Sequence, residues 1–218
     1  MSQKYIFLFF LLLFGISLAS AQEKDADWIL GAHLIVSLPQ SDFANLSKTG
    51  EGIGGKVLYR FDPIPNVSPR LDVSYISYGE KRNSRADYAG SPFLVETRNE
   101  SFQMTVGPQF YTRLGRFTPY FAPMGGLYIY RTVVSIPEFY YYYGYPASET
   151  TSSLTRWGYN LNAGLSFDLT IGAHLDLSVK YQKITEAVET QNEFEQTIKS
   201  DATDISIHFG VVFYLSKK

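Results

Sequence analysis

Near the end of the chain, Asp204, Ser206 and His208 stand at alternate positions, and their types are those a hydrolase would use. Ser206 would be the nucleophile, His208 its base, and Asp204 or Asp176 the acid that orients the imidazole. Residues two apart share a face of any extended strand, so this spacing is weak evidence of a designed triad. His33 and His174 complete the histidine inventory. A second group is the aromatic run EFYYYYGYP, with Tyr140, Tyr141, Tyr142, Tyr143 and Tyr145. Tyrosines give large amphipathic contact area at small entropic cost, which suits a loop that binds a sugar, a peptide or a host surface. A third is the acidic stretch carrying Glu186, Glu189, Glu193 and Glu195. It lacks the fixed oxygen spacing of a calcium loop and is read as solvated. Gly50, Gly52, Gly54 and Gly55 precede no helix, so they suit strand curvature rather than a nucleotide. No cofactor or metal site is expected.

The elements that must carry these residues begin after a targeting segment. Residues 1–21 have one charge, Lys4, then an apolar run from Tyr5 to Leu18, then Ala19-Ser20-Ala21 before Gln22. This is the layout of a cleaved secretory signal, and its apolar core is short for a bilayer span. Residues 22–218 are then one barrel domain. The absence of cysteine excludes disulfides and a lipidated N-terminal cysteine, as suits an envelope protein stabilised by other means. Without Lys4 the 19 basic side chains fall to 18 against 21 acidic, a net charge of −3, too balanced to suggest a nucleic-acid partner.

The clearest strand is WGYNLNAGLSFDL, residues 157–169. Trp157, Tyr159, Leu161, Ala163, Leu165, Phe167 and Leu169 line one face, and Gly158, Asn160, Asn162, Gly164, Ser166 and Asp168 the other. Similar alternation predicts strands over 28–37, 52–61, 70–78, 93–111, 119–132, 174–184 and 204–215, eight in all. Both faces of 119–132 are apolar enough that its inner face is not assigned. Connections alternate between short (DPIPNVSP, RLGRF, TIGA) and long (LPQSDFANLSKTGE, GEKRNSRADYAGSP, VVSIPEFYYYYGYPASETTSS, TEAVETQNEFEQTIKS). An up-and-down antiparallel barrel with trimmed periplasmic turns and elaborated outer loops has this pattern.

Bulk decides which face is inside. An eight-stranded barrel has room only for a filling of side chains, so the small polar face fits within and the aromatic face belongs in lipid. Lys56, Arg60, Arg70, Asp72, Arg156, Asp168, Asp176, Lys180, Asp204 and His208 all carry the inward parity and are expected to form a mixed-charge lumen network. Outward, Tyr75, Trp157, Tyr159 and Tyr181 lie toward the long loops, while Trp28, Tyr59, Phe61, Phe110, Phe167 and Phe213 lie toward the short turns. These are the two aromatic girdles of a membrane barrel. A soluble lipocalin-like barrel, with the aromatic face inward, is the alternative fold, and an outer-membrane lipid hydrolase using Ser206 and His208 the alternative activity.

The secretory signal, RWGYNLNAGLSFDL, HLDLSVKYQ, PYFAPMGGLYIY and ISIHFGVVFYL together resemble the small outer-membrane β-barrel family, porin-like proteins related to enterobacterial eight-stranded barrels and opacity-type adhesins. The resemblance spans the mature chain and rests on pattern rather than an invariant motif. It implies an eight-stranded transmembrane barrel, bacterial outer-membrane localisation and a structural or adhesive role through outer loops. The partners it implies are membrane lipid and lipopolysaccharide, the barrel assembly machinery and an extracellular ligand or surface. One departure stands out: such proteins commonly end on an aromatic residue, whereas here Leu215 is followed by Ser216, Lys217 and Lys218.

Overall fold

The computed structural model describes residues 28–60, 66–86, 92–135, 149–170, 172–191 and 197–215. The signal segment and the tyrosine run at 140–145 lie outside them. Eight strands follow one another: β1 (Trp28–Gln40), β2 (Gly50–Tyr59), β3 (Val67–Ala86), β4 (Pro92–Tyr111), β5 (Phe117–Ser135), β6 (Glu149–Thr170), β7 (Ala173–Gln191) and β8 (Thr197–Leu215). A six-residue helix, α1 (Ser41–Leu46), joins β1 to β2. Each strand pairs antiparallel with the next, and β1 pairs with β8 from Trp28↔Leu215 to Gln40↔Thr203, closing the barrel.

Burial follows parity. On β1, Ile29, His33, Ile35 and Ser37 are buried, while Trp28, Leu30, Leu34, Val36 and Leu38 are exposed. The same alternation runs round the wall and leaves Phe102, Met104, Val106, Phe121, Leu165, Leu177, Val179, Ile207 and Phe209 on the outer surface. A continuous apolar belt of this kind is tolerable in hydrocarbon, and closure satisfies the backbone groups within it. Near the short turns Trp28 packs on Tyr59 at 4.9 Å and Phe117 on Phe167 at 5.1 Å between ring centroids. Toward the other end Trp157, Tyr159, Tyr181 and Tyr75 are exposed. Above them outward positions turn polar: Glu51, Ser77, Glu100, Arg131, Thr155 and Lys183. Glu100 lies 3.1 Å from Arg98 and 4.0 Å from Arg131, and Lys183 2.9 Å from Asp201, marking the upper edge of the belt with charge.

The strands run well past that edge. Crossing a bilayer takes about 9–11 residues of tilted strand; β3 and β4 have 20 each and β6 has 22. GEKRNSRADYAGSP and TEAVETQNEFEQTIKS, read from sequence as long loops, are therefore largely strand, with only 87–91 and 192–196 between the described elements. Outside the membrane both faces of a strand meet water, so alternation fades while the ladder continues. β-bulges interrupt β3–β4 between Tyr78 and Lys81, and β7–β8 between Ile184 and Val188, just above the charged edge. The first long loop also departs from expectation, because α1 folds into the mouth of the barrel. Phe43 is buried edge-on against Tyr78 (5.0 Å) and Tyr130 (5.4 Å). At the opposite end, Gly115 and Gly172 adopt the left-handed conformation that their tight turns require.

The inner face of β5, unassigned from sequence, carries Thr118, Tyr120, Ala122, Met124, Tyr128 and Tyr130. Val106 sits midway along the belt, so Val106→Arg is expected to cost about 2–4 kcal/mol, and Thr155→Arg at the polar edge about 0–1 kcal/mol. Urea unfolding of the barrel in lipid vesicles checks the contrast, and equal costs would place the membrane elsewhere.

Candidate functional site

The lumen is layered. At its centre, Arg70 and Asp72, two apart on β3, lie side by side: Nε donates to Oδ1 and Nη2 to Oδ2, both at 2.7 Å, and Nη1 donates to Gln109 Oε1 at 2.9 Å. This fork-to-fork pairing gives planar guanidinium and carboxylate groups their best geometry. Beside it Lys56 Nζ meets Asp176 Oδ2 at 2.8 Å. Asp176 also accepts from Ser166 Oγ (2.7 Å) and Tyr120 OH (3.0 Å). Tyr120 further joins the two pairs, since Lys56 and Arg70 stand 4.8 and 5.5 Å from its ring centroid. Higher up, Lys180 Nζ donates to Gln103 Oε1 at 2.9 Å, and Asp204 Oδ2 accepts from Tyr78 OH (2.8 Å) and Gln182 Nε2 (2.6 Å).

Room for large inward rings comes from glycines on neighbouring strands. Gly164 pairs directly with Tyr120 and Gly50 with Tyr78, and a Cβ at either glycine would strike the facing ring. Above the charged layers the filling turns apolar: Ile35, Phe43, Ile76, Tyr78, Tyr128, Tyr130, Ile184 and Ala202 form one buried cluster. It is topped by Asn99, whose Nδ2 donates to Ser47 Oγ at 2.8 Å and whose Oδ1 accepts from Thr132 at 2.9 Å. The lumen is thus polar at mid-height and capped by an aromatic plug that sequence reasoning missed. Tyr78 closes the strand expected over 70–78 and shares the inward parity of Asp72 and Ser74, which is the signal that marks it as a lumen residue. Phe43 carries no such signal.

Of the expected network, Lys56, Asp72, Asp176, Lys180, Asp204 and His208 meet in the buried interior with Arg70. Three members stand apart. Arg156 has inward parity but sits at the upper rim, opposite Tyr128, with Nη1 on its own neighbour's carbonyl, Thr155 O. Asp168 is at the periplasmic mouth, 2.6 Å from His174 Nδ1 and 3.9 Å from Arg113. Arg60 is at that mouth too, its guanidinium 5.4 Å from the Tyr214 ring centroid. Shared parity fixes a common face, but height along the strand separates these three from the rest.

Ser206 and His208 are hydrogen-bonded, Oγ to Nε2, at 2.9 Å. Both are buried, and His208 stacks against His33 at 4.8 Å. His208 Nδ1 has no partner, because Asp204 is engaged by Tyr78 and Gln182, and Asp176 by Lys56, Ser166 and Tyr120. The acid that would orient the imidazole is absent from its side. Among the described residues no group of three or more His, Asp or Glu could hold a metal ion. Glu186 and Glu189 lie in β7 rather than in a loop, and Glu193 and Glu195 are outside the described residues.

Residues 7–213 match the model of the outer membrane protein beta-barrel domain. The chain belongs to that family. It is a bacterial outer-membrane β-barrel protein, and its solved neighbours share the fold at low identity. Ail of Yersinia pestis, crystallised with the heparin analogue sucrose octasulfate, is 15% identical with a TM-score of 0.53, covering 88% of this chain and 99% of Ail. A second Ail structure gives 14% identity and 0.51 over the same shares. Neisserial surface protein A is 18% identical with a TM-score of 0.49, covering 88% of this chain and all of its own. No curated protein sequence matches.

Breaking one partner of a buried pair leaves an uncompensated charge, typically at a cost of about 3–5 kcal/mol. Asp176→Asn is expected to destabilise the barrel by about that much, and Lys56→Met combined with Asp176→Leu to recover most of it. The urea midpoint of the folded band in unboiled gel samples reads both. A double variant no more stable than Asp176→Asn would show that the pair itself is not the source of the loss.

Proposed function

We propose that this protein is a non-enzymatic outer-membrane barrel that acts through its outer rim, binding an extracellular ligand or surface there. The observation that carries this reading is strand length. β3 to β8 have 19 to 22 residues, about twice what the bilayer needs. The surplus forms a raised wall above the apolar belt, and the chain leaves it at Ser135 and rejoins it at Glu149, with the tyrosine run between them in sequence. A second support is the plugged interior: paired charges at mid-height and the Phe43 cluster above them leave solute passage unsupported. Lipid and lipopolysaccharide around the apolar belt, and the barrel assembly machinery that inserts it, complete the partners of this reading.

Binding by intact cells displaying the protein tests it. Ail was crystallised with a sulfated sugar, so heparin is the first probe; extracellular-matrix proteins follow. Deleting residues 138–146 is expected to leave a heat-modifiable barrel and to abolish binding. Binding that survives the deletion, or none in the parent, would overturn the role assigned to the tyrosines.

The hydrolase alternative has one supporting contact, the Ser206–His208 hydrogen bond. Against it stand the burial of both residues and the missing acid at Nδ1. Ser206→Ala and His208→Ala are expected to leave lipid A and phospholipid profiles unchanged. A changed profile in either variant would restore the enzyme reading.

A further inference from the structure

At the periplasmic end of the lumen a cavity of about 30 Å³ lies between Arg60, Ser68, Gln109, Tyr111, Thr118 and Tyr214. That is room for one or two water-sized species. Two of its lining donors lack an acceptor. Ser68 is fully buried and, among the described residues, its Oγ has no partner and the buried Arg60 Nε has none either. Leu58 pairs with Arg70 in the β2–β3 register, so continuing it two residues brings Arg60 level with Ser68. Arg60 directly follows β2 and Ser68 lies on β3, so the two orphan donors stand at one height.

Charge distinguishes what fills the space. Among the described residues of the spanning lumen and its periplasmic mouth, five cations (Lys56, Arg60, Arg70, Arg113, Lys180) face four carboxylates (Asp72, Asp168, Asp176, Asp204). Lys56 is paired with Asp176 and Arg70 with Asp72, while Asp204 and Lys180 share the upper layer. Asp168, at the same mouth as Arg60, is held by His174 and Arg113. Among the described residues no carboxylate pairs with Arg60, whose guanidinium faces the Tyr214 ring. A water would accept the two hydrogen bonds and leave the charge. A small anion would accept both and neutralise it.

We propose that this cavity is a binding site for a monatomic anion of the halide class, held by Arg60 Nε–H and Ser68 Oγ–H at the periplasmic mouth of the barrel. A ligand that binds only the folded barrel raises its stability with the logarithm of ligand concentration. The mature barrel in detergent micelles is expected to unfold a few degrees higher in sodium chloride than in sodium gluconate at equal ionic strength. Arg60→Gln should erase that difference and Ser68→Ala reduce it, both with the heat-modifiable band retained. Crystals of the unaltered protein grown with bromide should show anomalous density between Arg60 and Ser68. Equal midpoints in the two salts, a difference that persists in Arg60→Gln, or a bromide map empty at this position would each overturn the site. If Arg60→Gln fails to fold, Ser68→Ala, which changes no charge, and the bromide map decide the matter.

Discussion

Everything in this molecule follows from one constraint: inside hydrocarbon no backbone N–H or C=O can go unpaired. An open sheet has two edges and cannot meet it. The pairing of β1 with β8 removes both edges, and with eight strands the cylinder that results is narrow. The narrowness then dictates the filling. Every inward side chain lies within reach of several strands, so a large ring on one strand needs a glycine on the next, as Tyr120 finds at Gly164 and Tyr78 at Gly50. Because water is largely excluded, every inward charge needs an opposite partner. The Lys56–Asp176 and Arg70–Asp72 pairs, linked by Tyr120, are the consequence of closure rather than an independent design.

The same constraint accounts for what was legible in sequence. Alternation is strong only where one face meets lipid and the other a polar lumen, as in residues 157–169, where Trp157, Leu161 and Phe167 face out and Asn160 and Asn162 in. There the strands, their number and the inner face could all be read. On β5 the signal vanished because its lumen side carries Tyr120, Met124 and Tyr128 while its lipid side carries Phe121 and Leu127, so both faces look alike. Beyond the belt it vanished for the opposite reason. Water on both sides removes the contrast, and the outer parts of β3, β6, β7 and β8 read as loops. Phe43 was out of reach for a third reason. A six-residue helix in a connection has no period to detect, and its burial depends on strands far away in sequence.

The site was legible as a face and not as a set of contacts. Parity put the charges of the spanning segments on one face, yet it treated Arg60, Arg156 and Asp168 as equals of Asp72. Height along the strand separates them, and height depends on register and tilt, which no single strand encodes. Register also explains why Ser206 and His208 touch without forming a triad. They share a face by necessity, whereas an orienting acid must come from another strand at the right level, and the carboxylates at hand are already committed to Tyr78, Gln182, Lys56 and Ser166.

Constraint by residue class rather than residue identity bears on how such a barrel can change. Swapping Leu for Phe on the lipid side, or serine for asparagine within, keeps both the belt and the filling. Agreement in fold with Ail at 14–15% identity is what this freedom allows. Paired lumen charges are less free, since each must change with its partner, and so are the glycines beneath the inward rings. The outer rim faces neither restriction: water satisfies its edges and its side chains alike. Selection can therefore rework residues 136–148 without touching closure, while a change at Asp176 must be answered at Lys56. A barrel built this way separates the part that must hold together from the part that meets the outside, and only the second is at liberty to acquire a new partner.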